Sequence, residues 1–259
     1  MTPRLDNSQT VEKLAFETDA GIGYCARISL LVLQTDQTLE AELAALMAIE
    51  GVALYHARLA NDAVVSPRSL ARMAEELPRA AELIAPSLGL AAIGYACTSG
   101  ATIIGETRVA EILARIHPGV PCTNPLTAAK AALAALGAAR VGLVTPYTPD
   151  VTLAMQANFS AAGIDVPVVG SFYEDKDLEV GKINEASILD AAIVVGQDPR
   201  CDSVFISCTS LRSARVIALA EEKLGKPVTA SNHALAWHLL RLAGVADQQA
   251  GAGLLFAHH

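Results

Sequence analysis

The residues best suited to chemistry come as a matched pair. Cys97-Thr98-Ser99 and Cys208-Thr209-Ser210 lie 111 positions apart. Each triplet closes an apolar run, residues 90–96 in one case and 203–207 in the other, and each precedes a helix-like stretch, 101–116 and 211–224. A thiol at a strand end and a helix start meets free backbone N–H groups and the positive end of the helix dipole. Both favour a nucleophilic or basic thiolate. The same N–H groups, with the hydroxyls of Thr98, Ser99, Thr209 and Ser210, can meet charge that develops on a substrate carboxylate. A lone cysteine after an apolar run is ordinarily a small buried residue; the duplicated triplet argues for more. Two opposed thiols could take a proton from one face of a carbon beside a carboxylate and return one to the other face without a cofactor. Alternatively, a thiolate could add to a double bond.

The other cysteines, Cys25, Cys122 and Cys201, have no such echo. Five cysteines with no CxxC spacing suggest neither a disulfide framework nor a zinc site, so reduced thiols and no metal are expected.

The elements that must position the pair alternate, strand then helix, eight times. Strands are predicted at 26–33, 52–58, 90–96, 120–123, 139–144, 166–172, 203–207 and 226–229. Helices are predicted at 39–49, 68–85, 101–116, 126–136, 150–162, 184–195, 211–224 and from Ser231 or Asn232 to 242. The strand at 139 repeats the one at 26 after 113 positions, and Pro227 repeats Pro121 after 106. The expectation is a duplicated α/β fold: two pseudo-symmetric halves, each a small parallel sheet of about four strands flanked by helices. Ligands of such sheets bind beyond the carboxyl ends of the strands, which puts the active site in the cleft between the halves. The halves are expected at 1–124 and 125–230, with the last helix, within 231–259, packing back on the first.

Composition narrows the partners. The 259 residues are 52% apolar and 18% charged, with a formal net charge of −8. That fits a packed globular protein and argues against nucleic acid or an anionic membrane as partner. No apolar run of membrane-spanning length appears, so a cytoplasmic location is expected. A GxG at Gly21 to Gly23 precedes a strand instead of following one, the wrong context for a dinucleotide loop. Glu106 reads as a residue behind Cys97 or at an interface, and His258-His259 as a tail.

The runs GYACTSGATIIGE, LVTPYTPD, VFISCTSLRS and PVTASNHALAWHLLRLAG resemble the maleate isomerase and arylmalonate decarboxylase branch of the aspartate/glutamate racemase superfamily. The resemblance implies a cofactor-independent isomerase or racemase, dimeric or larger, acting on a small carboxylate. It implies Cys97 and Cys208 as the catalytic pair, Tyr147 as a carboxylate-binding hydroxyl, and Thr98, Ser99, Thr209 and Ser210 as the carboxylate or oxyanion cradle. Arylmalonate decarboxylases carry glycine where this chain has Cys97, which disfavours simple decarboxylation through Cys208 alone. Maleate isomerases carry asparagines where Asp36 and Asp177 align. Aspartates there would repel a second carboxylate and pair with an ammonium group instead, although either could serve as a helix cap or solvated loop residue. Asn232 is a further binding candidate whose plain reading is a helix cap. The run LVLQTDQTLEAEL is similar to the ectoine-utilisation group of the same superfamily, which points to an amino acid met in ectoine breakdown. A non-catalytic small-acid or amino-acid binding protein is the alternative outside enzymology.

Overall fold

The computed structural model describes residues 11–259; residues 1–10 lie outside the described residues. The first stretch of chain runs β1 (Ala26–Leu33), α1 (Leu39–Leu46), β2 (Val52–Leu59), α2 (Pro67–Glu82), β3 (Ala92–Ala96), α3 (Thr98–Ile104), α4 (Glu106–Ile116), β4 (Cys122–Thr123) and α5 (Pro125–Ala135), the last of which the boundary expected at residue 124 assigns to the other half. The second runs β5 (Arg140–Thr145), α6 (Pro149–Ala161), β6 (Asp165–Ser171), α7 (Asp177–Val180), α8 (Glu185–Gly196), β7 (Ser203–Ile206), α9 (Ile217–Leu224), β8 (Val228–Ala230) and α10 (Ser231–Leu242). A short α11 (Leu254–His258) follows.

Two four-stranded parallel sheets result, ordered β2-β1-β3-β4 and β6-β5-β7-β8, the same order twice. The central strands are apolar on both faces, as parallel strands covered on both sides must be: every residue of β3 and β7 is buried. Local chemistry sets several helix starts. Ser66 and Ser69 form a reciprocal capping box with Pro67 at the first helical position of α2, and the Asn124 side chain caps α5 ahead of Pro125.

The structure differs from the sequence reading in three places that matter. The helix expected at 101–116 starts earlier and breaks at Gly105, whose φ of 91° lies where only glycine sits without strain. The helix expected from 211 does not follow Cys208: the chain turns, makes a 3-10 turn at Ala214–Val216, and becomes α-helical only at Ile217. The segment between the strand expected to 172 and the helix expected from 184 contains the single turn α7.

One contact relates the halves directly. Val64 and Lys176 form an isolated antiparallel bridge, flanked by Val65 N–H donating to the Asp175 carbonyl (2.8 Å) and Asp177 N–H donating to the Ala63 carbonyl (3.0 Å). The two residues are 112 positions apart, close to the 111 of the thiols, so equivalent segments meet each other head to tail.

Helix α10 lies on the first half, against α5, α1 and β3. Its Leu235, Leu239 and Leu240 are buried with Ile28, Leu30, Leu39 and Leu43. Gly94 permits the approach, since a methyl group there would come within 3.1 Å of Leu30 and 3.4 Å of Leu239. Helix α5 in turn touches β8 of the second sheet. Among the described residues no helix is long and apolar enough to cross a membrane, and no group of three His, Cys, Asp or Glu side chains is placed to hold a metal ion.

Candidate active site

Beyond the carboxyl ends of β3 and β7 lies a small, partly enclosed pocket with Cys97 and Cys208 in its wall. Thr98, Ser99, Thr209, Tyr147 and Asp177 also line it. Of the five cysteines, only these two do. The remaining wall is Asn61 and Asp62 after β2, Ser69 of α2, and the apolar Leu33, Val65, Leu70 and Met73.

Cys97 sits at the N-cap of α3 with extended backbone (φ −150°), and its sulfur accepts from Gly100 N–H at 3.2 Å. The Ser99 hydroxyl is 3.6 Å from the same sulfur. Burial nevertheless outweighs these donors, and the Asp177 charge adds to it, so the Cys97 thiol is pushed up to about 11. Gly100 is where it is because the Tyr95 hydroxyl would lie 2.1 Å from any Cβ there and the Cys97 sulfur 3.0 Å.

Cys208 has the same sequence context and different surroundings. Its φ is 115°, a left-handed backbone unusual for a residue with a side chain. No helix starts behind it. Burial first, then the charge of Asp177, and more weakly that of Asp36, raise this thiol further than Cys97, against the Tyr147 hydroxyl and the Ser210 N–H. The expectation of stabilised thiolates is therefore corrected: desolvation wins at both sulfurs, and at Cys208 the helix dipole is missing. The site as built holds two neutral thiols.

Tyr147 is buried, its carbonyl held by the Ser171 hydroxyl (2.5 Å) and the Thr152 hydroxyl (3.3 Å). Its hydroxyl lies near both sulfurs, and burial raises its own pKa. Asp177 is 4% exposed. Its two oxygens accept from the Ser210 hydroxyl (2.7 Å) and the Thr35 hydroxyl, and Thr35 in turn accepts from the Asn61 amide (2.8 Å). Among the described residues two neutral hydroxyls and no cation face this carboxylate.

Three expected binding residues are not in the cavity wall. Asp36 is buried with Oδ1 accepting from Thr38 and Leu39 N–H (2.8 and 2.9 Å), which holds the entry to α1 just ahead of its N-cap Thr38; burial raises its pKa. Ser210 spends its hydroxyl on Asp177. Asn232 is not the N-cap of α10 but its second residue; its amide donates to the Thr209 carbonyl and to Glu42, both at 2.8 Å. Glu106 ties α4 to α5 by accepting from Thr127 (2.6 Å) and pairing with Lys130.

Sequence reasoning missed four residues. Asn61 follows β2 as the triplets follow β3 and β7, and the strand-end rule would have found it. Tyr95 precedes Cys97 by two positions and so shares its strand face. Thr35 follows β1. Ser231, at the end of β8, accepts from both the Thr98 hydroxyl (2.8 Å) and Cys208 N–H (2.9 Å).

Comparison with known proteins agrees with the fold and gives the family. Residues 38–256 match the arylmalonate decarboxylase family, and the chain belongs to it. It is 34% identical over 141 residues to an arylmalonate decarboxylase of Bordetella bronchiseptica, an alignment covering 53% of this chain and 58% of that protein. It is 29% identical over 239 residues to a maleate isomerase of Nocardia farcinica (strain IFM 10152), covering 88% and 94%. A solved structure of Nocardia farcinica maleate cis-trans isomerase, a cysteine-to-serine variant with a covalently bound succinylcysteine intermediate, superposes with a TM-score of 0.83 at 27% identity, over 90% of this chain and 99% of that one.

Proposed function

We propose that this member of the arylmalonate decarboxylase family is a racemase or isomerase of a small amino acid, working at the carbon beside its carboxylate with Cys97 and Cys208 as the two proton carriers. The enzyme is a cofactor-independent isomerase in class. The observation that carries the amino-acid reading is Asp177, a buried carboxylate in the same cavity as both thiols, with no cationic partner among the described residues. An ammonium group beside it would neutralise the charge that raises both sulfurs. A second substrate carboxylate would add to that charge. With a thiol pKa of about 11, roughly one molecule in 10⁴ carries the Cys97 thiolate at neutral pH, so a substrate that lowers it gains directly in rate.

In the reaction one thiolate removes the α-proton, forming S–H as C–H breaks, and the electron pair moves into the carboxylate as an enediolate. The N–H groups of Thr98, Ser99 and Thr209 and the Tyr147 hydroxyl are the donors available to that charge. The opposite thiol then gives its proton to the other face. One proton enters and one leaves, and the protonation states exchange between the sulfurs. A diaminobutyrate-like substrate of ectoine breakdown complements the charge of Asp62 and Asp177 in the cavity wall and suits the likeness of residues 31–43.

A second reading, maleate-type cis-trans isomerisation by reversible thiol addition, is favoured by the retention of both thiols and by the coverage of the Nocardia relative. The resemblance also implies a dimer or larger assembly, which light scattering would decide. The test is proton NMR in deuterated water on both enantiomers of aspartate, glutamate and 2,4-diaminobutyrate, with maleate and a substituted malonate. Deuterium entering one amino acid at the α-carbon with loss of optical purity, abolished by Cys97→Ser, supports the first reading. Fumarate from maleate, or carbon dioxide from the malonate, replaces it. Ligand-dependent stabilisation without turnover would return the protein to the binding class.

A further inference from the structure

The two thiol loops come from different halves and could drift relative to one another, yet both bond to one oxygen. Ser231, fully buried at the first position of α10, accepts from the Thr98 hydroxyl (2.8 Å) and from Cys208 N–H (2.9 Å). Thr98 immediately follows Cys97 and starts α3. Cys208 is the residue with φ of 115°, whose amide must be held in a conformation it would not choose. The next residue, Asn232, fixes the Thr209 carbonyl at 2.8 Å and is itself anchored to Glu42, which also accepts from Ala214 N–H at 2.8 Å. Helix α10 therefore grips the Cys208 loop at two successive residues and reaches the Cys97 loop at one.

We propose that Ser231 is a positioning residue that sets the two thiols in register across the cavity, so that the geometry of each depends on the other. The inference rests on the two-thiol reading above. It also reassigns Thr98: its hydroxyl is a strut to Ser231, and what it offers a substrate is its backbone N–H. Likewise Cys208 N–H is occupied, leaving the Thr209 amide as the free donor of the second loop.

The test reads the thiols before it reads turnover. Rates of alkylation of Cys97 and Cys208 by iodoacetamide, resolved by peptide mass spectrometry, are compared in wild type, Ser231→Ala, Thr98→Val and Thr98→Ser, with circular dichroism to confirm folding. Thr98→Val removes only the bond on the Cys97 side and leaves Ser231 on Cys208, so it serves should Ser231→Ala fail to fold. The expected result is that Thr98→Val changes the Cys208 rate at least about threefold, that Thr98→Ser restores it, and that Ser231→Ala changes both rates. With an active substrate, Ser231→Ala lowers kcat about 10- to 100-fold with KM within about twofold, as a misplaced reacting group does. A Cys208 rate unmoved by Thr98→Val, or equal loss in the valine and serine variants, overturns the proposal. Because alkylation needs no substrate, failure of the racemase reading leaves this outcome legible on its own.

Discussion

Cys97 and Cys208 share a triplet, a strand-end position and a cavity, yet almost everything around them differs. Cys97 has an extended backbone and a true helix behind it. Cys208 has left-handed backbone and a turn in place of a helix, and the charge of Asp36 adds there to that of Asp177, which acts on both sulfurs. The comparison teaches that sequence duplication need not duplicate proton affinity. The thiol with the helix parts with its proton more easily, which suits Cys97 to act first as base or nucleophile and Cys208 to donate.

The sharpest way to break this division is to remove each sulfur in turn. Both Cys97→Ser and Cys208→Ser should lower racemisation or isomerisation by about 10³-fold or more. Only Cys208→Ser should still exchange the α-proton of one enantiomer with deuterated solvent, measured by proton NMR; equal exchange in both variants would erase the distinction. Next in size, Asp177→Asn should lower kcat/KM for an amino-acid substrate by about 10²-fold and make both thiols easier to ionise. The larger drop should be at Cys208, where Asp177 stands second only to burial, and pH-dependent alkylation would read it.

Titration gives a third handle. Both thiols lie above the ordinary cysteine value of 9.0 in the folded protein. Between that value and about 11 the unfolded chain has shed these protons while the folded chain keeps them, so stability is intact below pH 9 and falls as pH rises through this window. Urea melts from pH 8 to 10.5 should show a slope that flattens in the double Cys→Ser variant. The alkylation rate of Cys97 should climb across the same range. The smallest effect separates the backbones: Cys208→Gly should stabilise by about 1 kcal/mol by relieving its positive φ, whereas Cys97→Gly should destabilise. Thermal melts of the two variants with opposite signs would fix the asymmetry in the fold itself.

The doubled α/β architecture was legible because parallel strands buried on both faces read as uninterrupted apolar runs, and because the same landmarks recur. The thiols were legible for the second reason alone. The break at Gly105 and the missing helix after Cys208 were not, because a helical pattern in sequence does not reveal where the backbone must turn to bring a loop against another half. Asp36, Ser210 and Asn232 were expected in the cavity because their types suit a carboxylate or ammonium; whether such a group faces substrate or a neighbouring amide depends on contacts across more than a hundred residues, as between Asn232 and Glu42. Ser231 was legible only as a helix start, and its bonds to both thiol loops were hidden for the same reason.

The bridge between Val64 and Lys176 carries a last consequence. A segment that pairs antiparallel with its own counterpart is the contact that two identical subunits make across a two-fold axis, here made within one chain. A true homodimer would have to repeat every side chain, giving each sulfur the same neighbours and the same reluctance to ionise. Joined in one polypeptide, the halves keep the shape of a symmetric pair but are free of its bookkeeping. One carries the helix behind its thiol and the other the left-handed backbone, and the cavity can tell its left face from its right.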